Sequence, residues 1–418
     1  MTALKTVAAY IDLYLFNLSL YLTNPNWSFS NLSSMLAAMP PSTPTSIAKL
    51  PIDPGTCIGI FDSGSGGLVT TSWVTRILEE AGIPAGVLFL GDTANLPYGT
   101  KPLETVAALA DVIIDRLSPI CPAIGIACNT ASTAWERAGR RGKGGTGPRI
   151  FSIVDVGAEQ AYAKARIAGE RQSPRRCKNI GVLGTELTAD CQAHADRLIE
   201  LHRDALSLAA GHELPLVSYD LTERGPTPAL PRNLIHYDRT PHIAVTRESF
   251  TSPNSHGGIS RAHVRNFEPP QSLPHDLEIV SLAAQRLVNF VDVEHVFTGD
   301  GLLKPIHADA VRSFLHQVSR DLQQRKITSV ILGCTHFEFF CDEFSLLLPG
   351  MAARGSIVSP SGTLAWALVD FLQEFRERFP GKINLTAPRV YAHFTGTQPS
   401  TETLQALGLQ ELTLLETL

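Results

Sequence analysis

The sequence predicts an α/β protein of two pseudo-symmetric, doubly wound domains with mostly parallel sheets. Three observations carry that prediction. From Cys57 onward, short apolar or β-branched runs alternate with amphipathic stretches, the pattern of parallel strands joined by helices. The two halves repeat one another: IGIF leading into DSG and a helix is answered by IGVLG leading into TE and a helix. Finally, each half ends a buried strand in a cysteine followed closely by threonine, AIGIACNT at 123–130 and SVILGCTH at 329–336.

Taken in order, strands are expected at CIGIF (57–61), GVLFLG (86–91), AIGIAC (123–128), IFSIV (150–154), NIGVLG (179–184), LEIVSL (277–282) and SVILGC (329–334). Helices are expected at LVTTSWVTRILEEA, ETVAALADVIIDRL and HADAVRSFLHQVSRDLQQ, each with apolar residues three and four apart. Parallel α/β sheets bind ligands at the carboxyl ends of their strands. Matching cysteines at matching strand ends, Cys128 and Cys334, therefore point to one site in the cleft between the halves. Buried cysteines are common in cores, but the repeat speaks against two unrelated core thiols.

The chain of 418 residues is long enough for two ordinary domains. Its 44% hydrophobic and 18% charged residues are those of a soluble globular protein. A net charge of −5 offers no electrostatic attraction for nucleic acid or an anionic membrane surface. The seven cysteines are Cys57, Cys121, Cys128, Cys177, Cys191, Cys334 and Cys341. Their odd number and the absence of CxxC argue against a disulfide framework or a zinc ribbon. Reduced thiols in the cytoplasm are the simplest expectation.

Residues 1–56 read as an extension or linker. The apolar stretch at 7–22 carries Asp12 and Asn17 and falls short of a membrane span. With Lys5 as its only early base it does not read as a signal peptide. Residues 205–276 hold nine prolines and six histidines (His212, His236, His242, His256, His263 and His275) without HExxH or HxH spacing. No metal site is expected there, and the segment reads as a surface insertion or mobile loop.

Five motifs now occur in a telling order: IGIFDSGSGGL (58–68), LGDTANLPYGTK (90–101), ACNTAS (127–132), GVLGTELT (181–188) and LGCTHFE (332–338), with YAHFTGT (391–397) closing the fold. Together they resemble the aspartate/glutamate racemase superfamily, and glutamate racemase most closely. The resemblance covers most of 57–204 and 277–418. The glycines at 64, 66 and 67 do not form GxGxxG and no GK[ST] follows, so a nucleotide-phosphate loop is not expected.

The resemblance implies a chemistry that suits these residues. Inverting an amino-acid Cα without a cofactor requires a base on one face of the carbon and an acid on the other. Two thiols serve if one is ionised while the other is protonated, with roles exchanging by direction. Both cysteines precede expected helix starts, where the dipole is expected to favour thiolate. By the motif match, Asp62 would position or protonate Cys128, and His336 would do the same for Cys334. Ser63, Asn129, Thr130, Thr185 and Thr335, at strand ends near backbone N–H groups, suit a cradle for the substrate carboxylate. Pro97, Tyr98 and Gly99 match the family's substrate-contacting loop.

The sequence also departs from the family. A Cys-Pro pair normally lies eight residues before a functional glutamate; here 281–289 reads SLAAQRLVN, putting Asn289 in its place. Asp292 or Glu294 could substitute only if the register slips. The segment after GTELT reads ADCQAHA instead of the family's serine and tyrosine pattern.

The expected organisation is a first domain of 57–152 with 357–395, a second of 153–356 carrying the insertion, and a tail helix at 396–418. The expected activity is cofactor-independent, metal-free racemisation of glutamate or a close acidic analogue. The alternatives are an aspartate or hydantoin racemase or isomerase, or a catalytically silent binding protein of the same fold. The expected partner is a small amino acid, with neither nucleic acid nor membrane; the family often dimerises, so a homodimer is one open assembly, but no interface is legible in the sequence.

Overall fold

The computed structural model describes residues 56–139, 147–170, 178–209, 243–249, 277–292, 294–298, 302–379, 388–416 and 418. Contacts divide the chain into 1–50 and 51–418, and every described residue belongs to the second unit. Apart from Thr56 the N-terminal extension lies outside the described residues, as do Cys177 and most of 205–276.

The first sheet is built on β1 (Cys57–Asp62), β2 (Gly86–Gly91), β3 (Ala123–Ile126) and β4 (Arg149–Ser152). The chain returns late to add β10 (Arg389–Phe394) and β11 (Thr413–Leu414), giving the order β11-β10-β2-β1-β3-β4. The second sheet is formed by β5 (Lys178–Gly184), β6 (Ile243–Ser249), β7 (Leu277–Ala283), β8 (Ser329–Gly333) and β9 (Ile357–Val358), in the order β6-β7-β5-β8-β9. Every pairing in both sheets is parallel. Such sheets are covered on both faces, and β1, β2, β3 and β8 are accordingly buried at every residue.

Helices cover the strands as the spacing predicts. On the first sheet, α1 (Leu68–Glu80) buries Leu68, Val74, Ile77 and Leu78, and α2 (Leu103–Leu117) buries Val106, Ala110, Ile113 and Leu117. Each large apolar side chain so buried contributes about 1.5–3 kcal/mol relative to exposure. After β3 comes α3 (Asn129–Arg137), and after β4 comes α4 (Ile153–Glu170). The second half adds α5 (Glu186–Cys191), α6 (Ala193–Ala209), α7 (Arg286–Asp292), α8 (Pro305–Gln324), α9 (Cys341–Leu347) and α10 (Pro349–Ala352). One core lies among α7, α8 and the second sheet (Leu183, Leu282, Phe290, Phe314, Leu332), another under α4 and α6 (Ala161, Ile180, Leu198, Ile331). α11 (Pro360–Arg378) packs Leu364, Leu368 and Leu372 into the first core beside Ile58, Ile60 and Val74.

Four expectations need correction. The strand expected to run to 154 stops at Ser152, because its Oγ accepts from Val154 N–H at 3.2 Å and Asp155 N–H at 3.4 Å and starts α4 instead. Within the segment expected to be loop, Ile243–Ser249 forms β6, which satisfies the open edge of β7 along seven residues. The expected tail helix is a six-residue α12 (Thr401–Ala406), capped by Ser400 Oγ, followed by β11 on the edge of β10. At 357–358 the chain still belongs to the second sheet, since β9 pairs with β8; the return to the first begins with α11. Among the described residues no helix is long and apolar enough to cross a membrane.

Candidate active site

In each sheet the first strand of its half is flanked by later strands on both sides: β1 by β2 and β3, β5 by β7 and β8. Connections leave such a strand in opposite directions, opening a crevice at its carboxyl end. The expected residues occupy these ends. β1 finishes in Asp62 and leads to Ser63, β3 leads to Cys128, β5 to Thr185, and β8 to Cys334.

Cys128 is the N-cap of α3. Its Sγ accepts from Ala131 N–H at 3.4 Å and lies 3.2 Å from Ser63 Oγ. Burial, then the charge of Asp62, push its thiol up from 9.0 to about 12, against the pull of the Ser63 and Ala131 bonds. This corrects the expectation that the helix start favours thiolate at Cys128. The net rise corresponds to roughly 4 kcal/mol, whereas a helix terminus offers at most ~2 kcal/mol. Desolvation wins, and Cys128 rests as a thiol.

Cys334 is held differently. It is extended (φ −155°, ψ 133°) and precedes a 3-10 turn at Thr335–Phe340, with no side-chain cap bond. Its carbonyl accepts from Phe337 N–H at 2.9 Å, and its Sγ lies 3.6 Å from His336 Nδ1.

The two halves meet through the expected site residues. Thr335 Oγ1 donates to Asp62 Oδ2 at 3.3 Å, while Gly64 N–H holds Asp62 Oδ1 at 2.8 Å. Thr130 Oγ1 lies 3.2 Å from Thr185 Oγ1 and 3.4 Å from Thr188 Oγ1. Gly66 must lack a side chain, because a Cβ there would sit 2.2 Å from Thr335 Oγ1 and 3.0 Å from His336 Cε1. Gly99 faces Thr185 and Gln285 across the same boundary. Asn129 is buried, and neither end of its amide bonds to any described group.

The Pro97–Gly99 loop begins with a cis Leu96–Pro97 peptide. The Tyr98 hydroxyl is buried and donates to Asp92 Oδ2 at 2.6 Å; burial and then the Asp92 charge raise its pKa. Asp92 also accepts from Asn95 Nδ2 and from Thr395 Oγ1 at 2.7 Å. Asp92 and Thr188 are the site residues that sequence reading passed over. Both lie inside quoted motifs, and Thr188 follows Thr185 by three residues at a helix start, the cap spacing that its N–H bond to Thr185 Oγ1 fulfils at 3.3 Å. Glu294 pairs with Arg286 at 2.5 Å and lies 3.8 Å from His307, while the side chain of Asp292 is outside the described residues. Among the described residues, no group of three or more His, Cys, Asp or Glu is placed to hold a metal ion.

No protein-family model matches the chain. The glutamate racemase of Bifidobacterium adolescentis is 29% identical over 297 residues, 71% of this chain and 78% of that protein. That of Aquifex aeolicus is 31% identical over 168 residues, covering 40% of this chain, and that of Syntrophus aciditrophicus 33% over 164, covering 38%. The match spans only 59% and 54% of those last two proteins. Among solved structures, a glutamate racemase isoform from Bacillus anthracis superposes with a TM-score of 0.52 at 16% identity, covering 86% of this chain and 96% of that one. Glutamate racemase from Francisella tularensis, solved with D-glutamate, gives 0.53 at 17%, covering 88% and 97%. At these identities the structures speak for the fold alone, and it is the sequence matches that speak for kinship. In its motifs and sequence matches the chain is similar to glutamate racemases, and it shares their fold.

Proposed function

We propose that the chain is a cofactor-independent amino-acid racemase that interconverts L- and D-glutamate with Cys128 and Cys334 as its two proton-transfer groups. The observation that carries this reading is the link between halves. Asp62, beside the Cys128 site, accepts a hydrogen bond from Thr335, the residue following Cys334. One thiol and its supports are thereby joined to the other across a single crevice.

In this mechanism a thiolate takes the Cα proton from one face, and the opposite S–H gives its proton to the other face. The sulfur that began as thiolate ends as thiol, and its partner the reverse, so no net proton is consumed. Because Cys128 is protonated at rest, it is the donor in the resting enzyme. Asp62 acts on Cys128 through its charge, and His336 orients and exchanges protons with Cys334. Ser63, Asn129, Thr130, Thr185, Thr188 and Thr335 supply hydroxyl and amide groups for the substrate's carboxylate and ammonium. Asn129, buried with both ends of its amide unbonded, suits that role because a buried polar group without a partner costs about 1–3 kcal/mol.

We further propose that β1–β4 and α11–β11 form one domain and β5–β9 the other, that the enzyme works in the cytoplasm, and that it forms a homodimer. Its D-glutamate-bound relative from Francisella tularensis makes glutamate the first substrate to test. Incubated in deuterated water without added pyridoxal phosphate, L-glutamate should gain deuterium at Cα while its optical rotation decays. No exchange with glutamate would sink this reading. A second reading, another acid such as aspartate or a hydantoin, draws on Cys191 and His194 in the α5–α6 segment, which departs from the family pattern; exchange with those compounds alone would support it.

A further inference from the structure

The turn that carries Cys334 and His336 also carries a buried carboxyl group, Glu338, which the mechanism above leaves unused. Glu338 lies within the Thr335–Phe340 turn and is 8% exposed. Its Oε1 accepts from Ser361 N–H at 3.2 Å and from Ser361 Oγ at 2.7 Å, and its Oε2 accepts from Ser359 Oγ. Ser359 is the N-cap position of α11 and Ser361 lies in its first turn, where free N–H groups and the helix dipole favour a carboxylate. The body of α11 is part of the first core, through Leu364, Leu368 and Leu372. The same helix start thus touches the Cys334 turn at one end and the sheet bearing Cys128 along its length.

We propose that Glu338 is a positioning residue for Cys334 and His336, locking the turn that carries both onto the N-terminus of α11. This inference rests on the two-thiol reading. It accounts for a structural difference between the halves. Cys128 gains rigidity by capping a nine-residue helix with its own sulfur. Cys334 makes no cap bond and begins a turn of six residues; its anchor is the carboxyl four residues on. It also gives the second half a supporting carboxyl group, where Asn289 stands at the position expected for the family's glutamate. Glu338 does not touch the reacting atoms by any bond described; it acts through the placement of the turn.

Two readouts test it. One is racemisation: Glu338→Ala should lower kcat at least tenfold with KM within about threefold. Glu338→Gln keeps an acceptor oxygen for Ser361 and should retain most of the rate. The other is independent of activity: alkylation of each cysteine by iodoacetamide, followed by peptide mass spectrometry. Glu338→Ala should alter the rate at Cys334 at least threefold while leaving Cys128 unchanged, and Ser361→Ala should shift it the same way. A lowered melting temperature with unchanged kcat and an unchanged Cys334-to-Cys128 ratio would make Glu338 a structural cap and overturn the proposal. If Glu338→Ala does not fold, Ser361→Ala decides by the same ratio. If wild-type protein exchanges no Cα proton, the racemase reading falls, while the alkylation ratio still judges the positioning role.

Discussion

Cys128 and Cys334 stand at equivalent strand ends, β3 and β8, each adjacent to the leading strand of its half. Their surroundings are not equivalent. Cys128 caps a regular helix, with Ser63 Oγ and Ala131 N–H on its sulfur and the charge of Asp62 nearby. Cys334 starts a tight turn with His336 Nδ1 near its sulfur and Glu338 pinning the turn. The backbone repeat conserves where a thiol sits, while the neighbouring side chains decide how it is held and which proton it carries. The proposed racemisation does not need mirror-image supports; under that proposal each sulfur has only to be fixed on its own face of the carbon.

The comparison is broken most forcefully by removing one sulfur at a time. Cys128→Ala and Cys334→Ala should each reduce racemisation by about a thousandfold or more, the scale of a lost general acid or base. If either variant kept near-wild-type turnover in a polarimetric assay, one thiol would be dispensable and the facing-pair mechanism wrong. Next comes the boundary between the halves. In Gly66→Ala the added methyl would lie 2.2 Å from Thr335 Oγ1, forcing apart the segment that bonds Asp62. A displacement of about 1 Å at a reacting centre costs about a hundredfold, so kcat should fall on that scale even though Gly66 offers no chemistry. Unchanged kcat would show that the two halves need not meet here. A smaller effect is expected at Ser63→Ala, which deletes a bond that lowers the Cys128 pKa. Its turnover should drop by about tenfold, and Cys128 alkylation should shift to higher pH while Cys334 alkylation does not move. Equal shifts at both cysteines would mean that the two supports are not separate.

The larger features of this fold were legible in the sequence because they rest on local pattern. Strands buried on both faces read as apolar runs, and all seven expected strands exist: GVLFLG as expected, five with one end shifted by one or two residues, and IFSIV with both ends shifted. The elements that were not legible depend on what they pair with. β6, β9 and β11 are edge strands, two of them only two residues long, and are specified by an open neighbour more than by their own composition. The site shows the same division. Asp62, Cys128, Thr185 and Cys334 lie at or just after strand ends, where the motifs and the strand pattern of the sequence put them. Thr188 and Asp92 were passed over because their importance lies in hydrogen bonds to Thr185 and Tyr98 that only the folded chain creates. The thiol state of Cys128 was misjudged because spacing reveals a helix start but not the depth at which it is buried.

The smallest effect concerns stability, and it separates two buried groups on the Cys334 side. Burial raises Glu338 from 4.5 to about 7 and lowers His194 from 6.5 to about 4. Both shifts favour the neutral form, yet they act on opposite limbs of the pH curve. The contribution of Glu338 is complete below pH 4.5 and is lost as pH rises through 7. That of His194 is complete above pH 6.5 and is lost as pH falls through 4. Between pH 4.5 and 6.5 the two oppose each other and flatten the wild-type melting curve. In Glu338→Gln the carboxyl no longer titrates, so the His194 slope remains and Tm should climb with pH across that window. In His194→Gln the remaining Glu338 slope should make Tm decline toward pH 7. Thermal melts at half-unit steps of pH would resolve the divergence, and parallel curves for the wild type and both variants would remove Glu338 and His194 as the groups whose burial sets the pH response of this half.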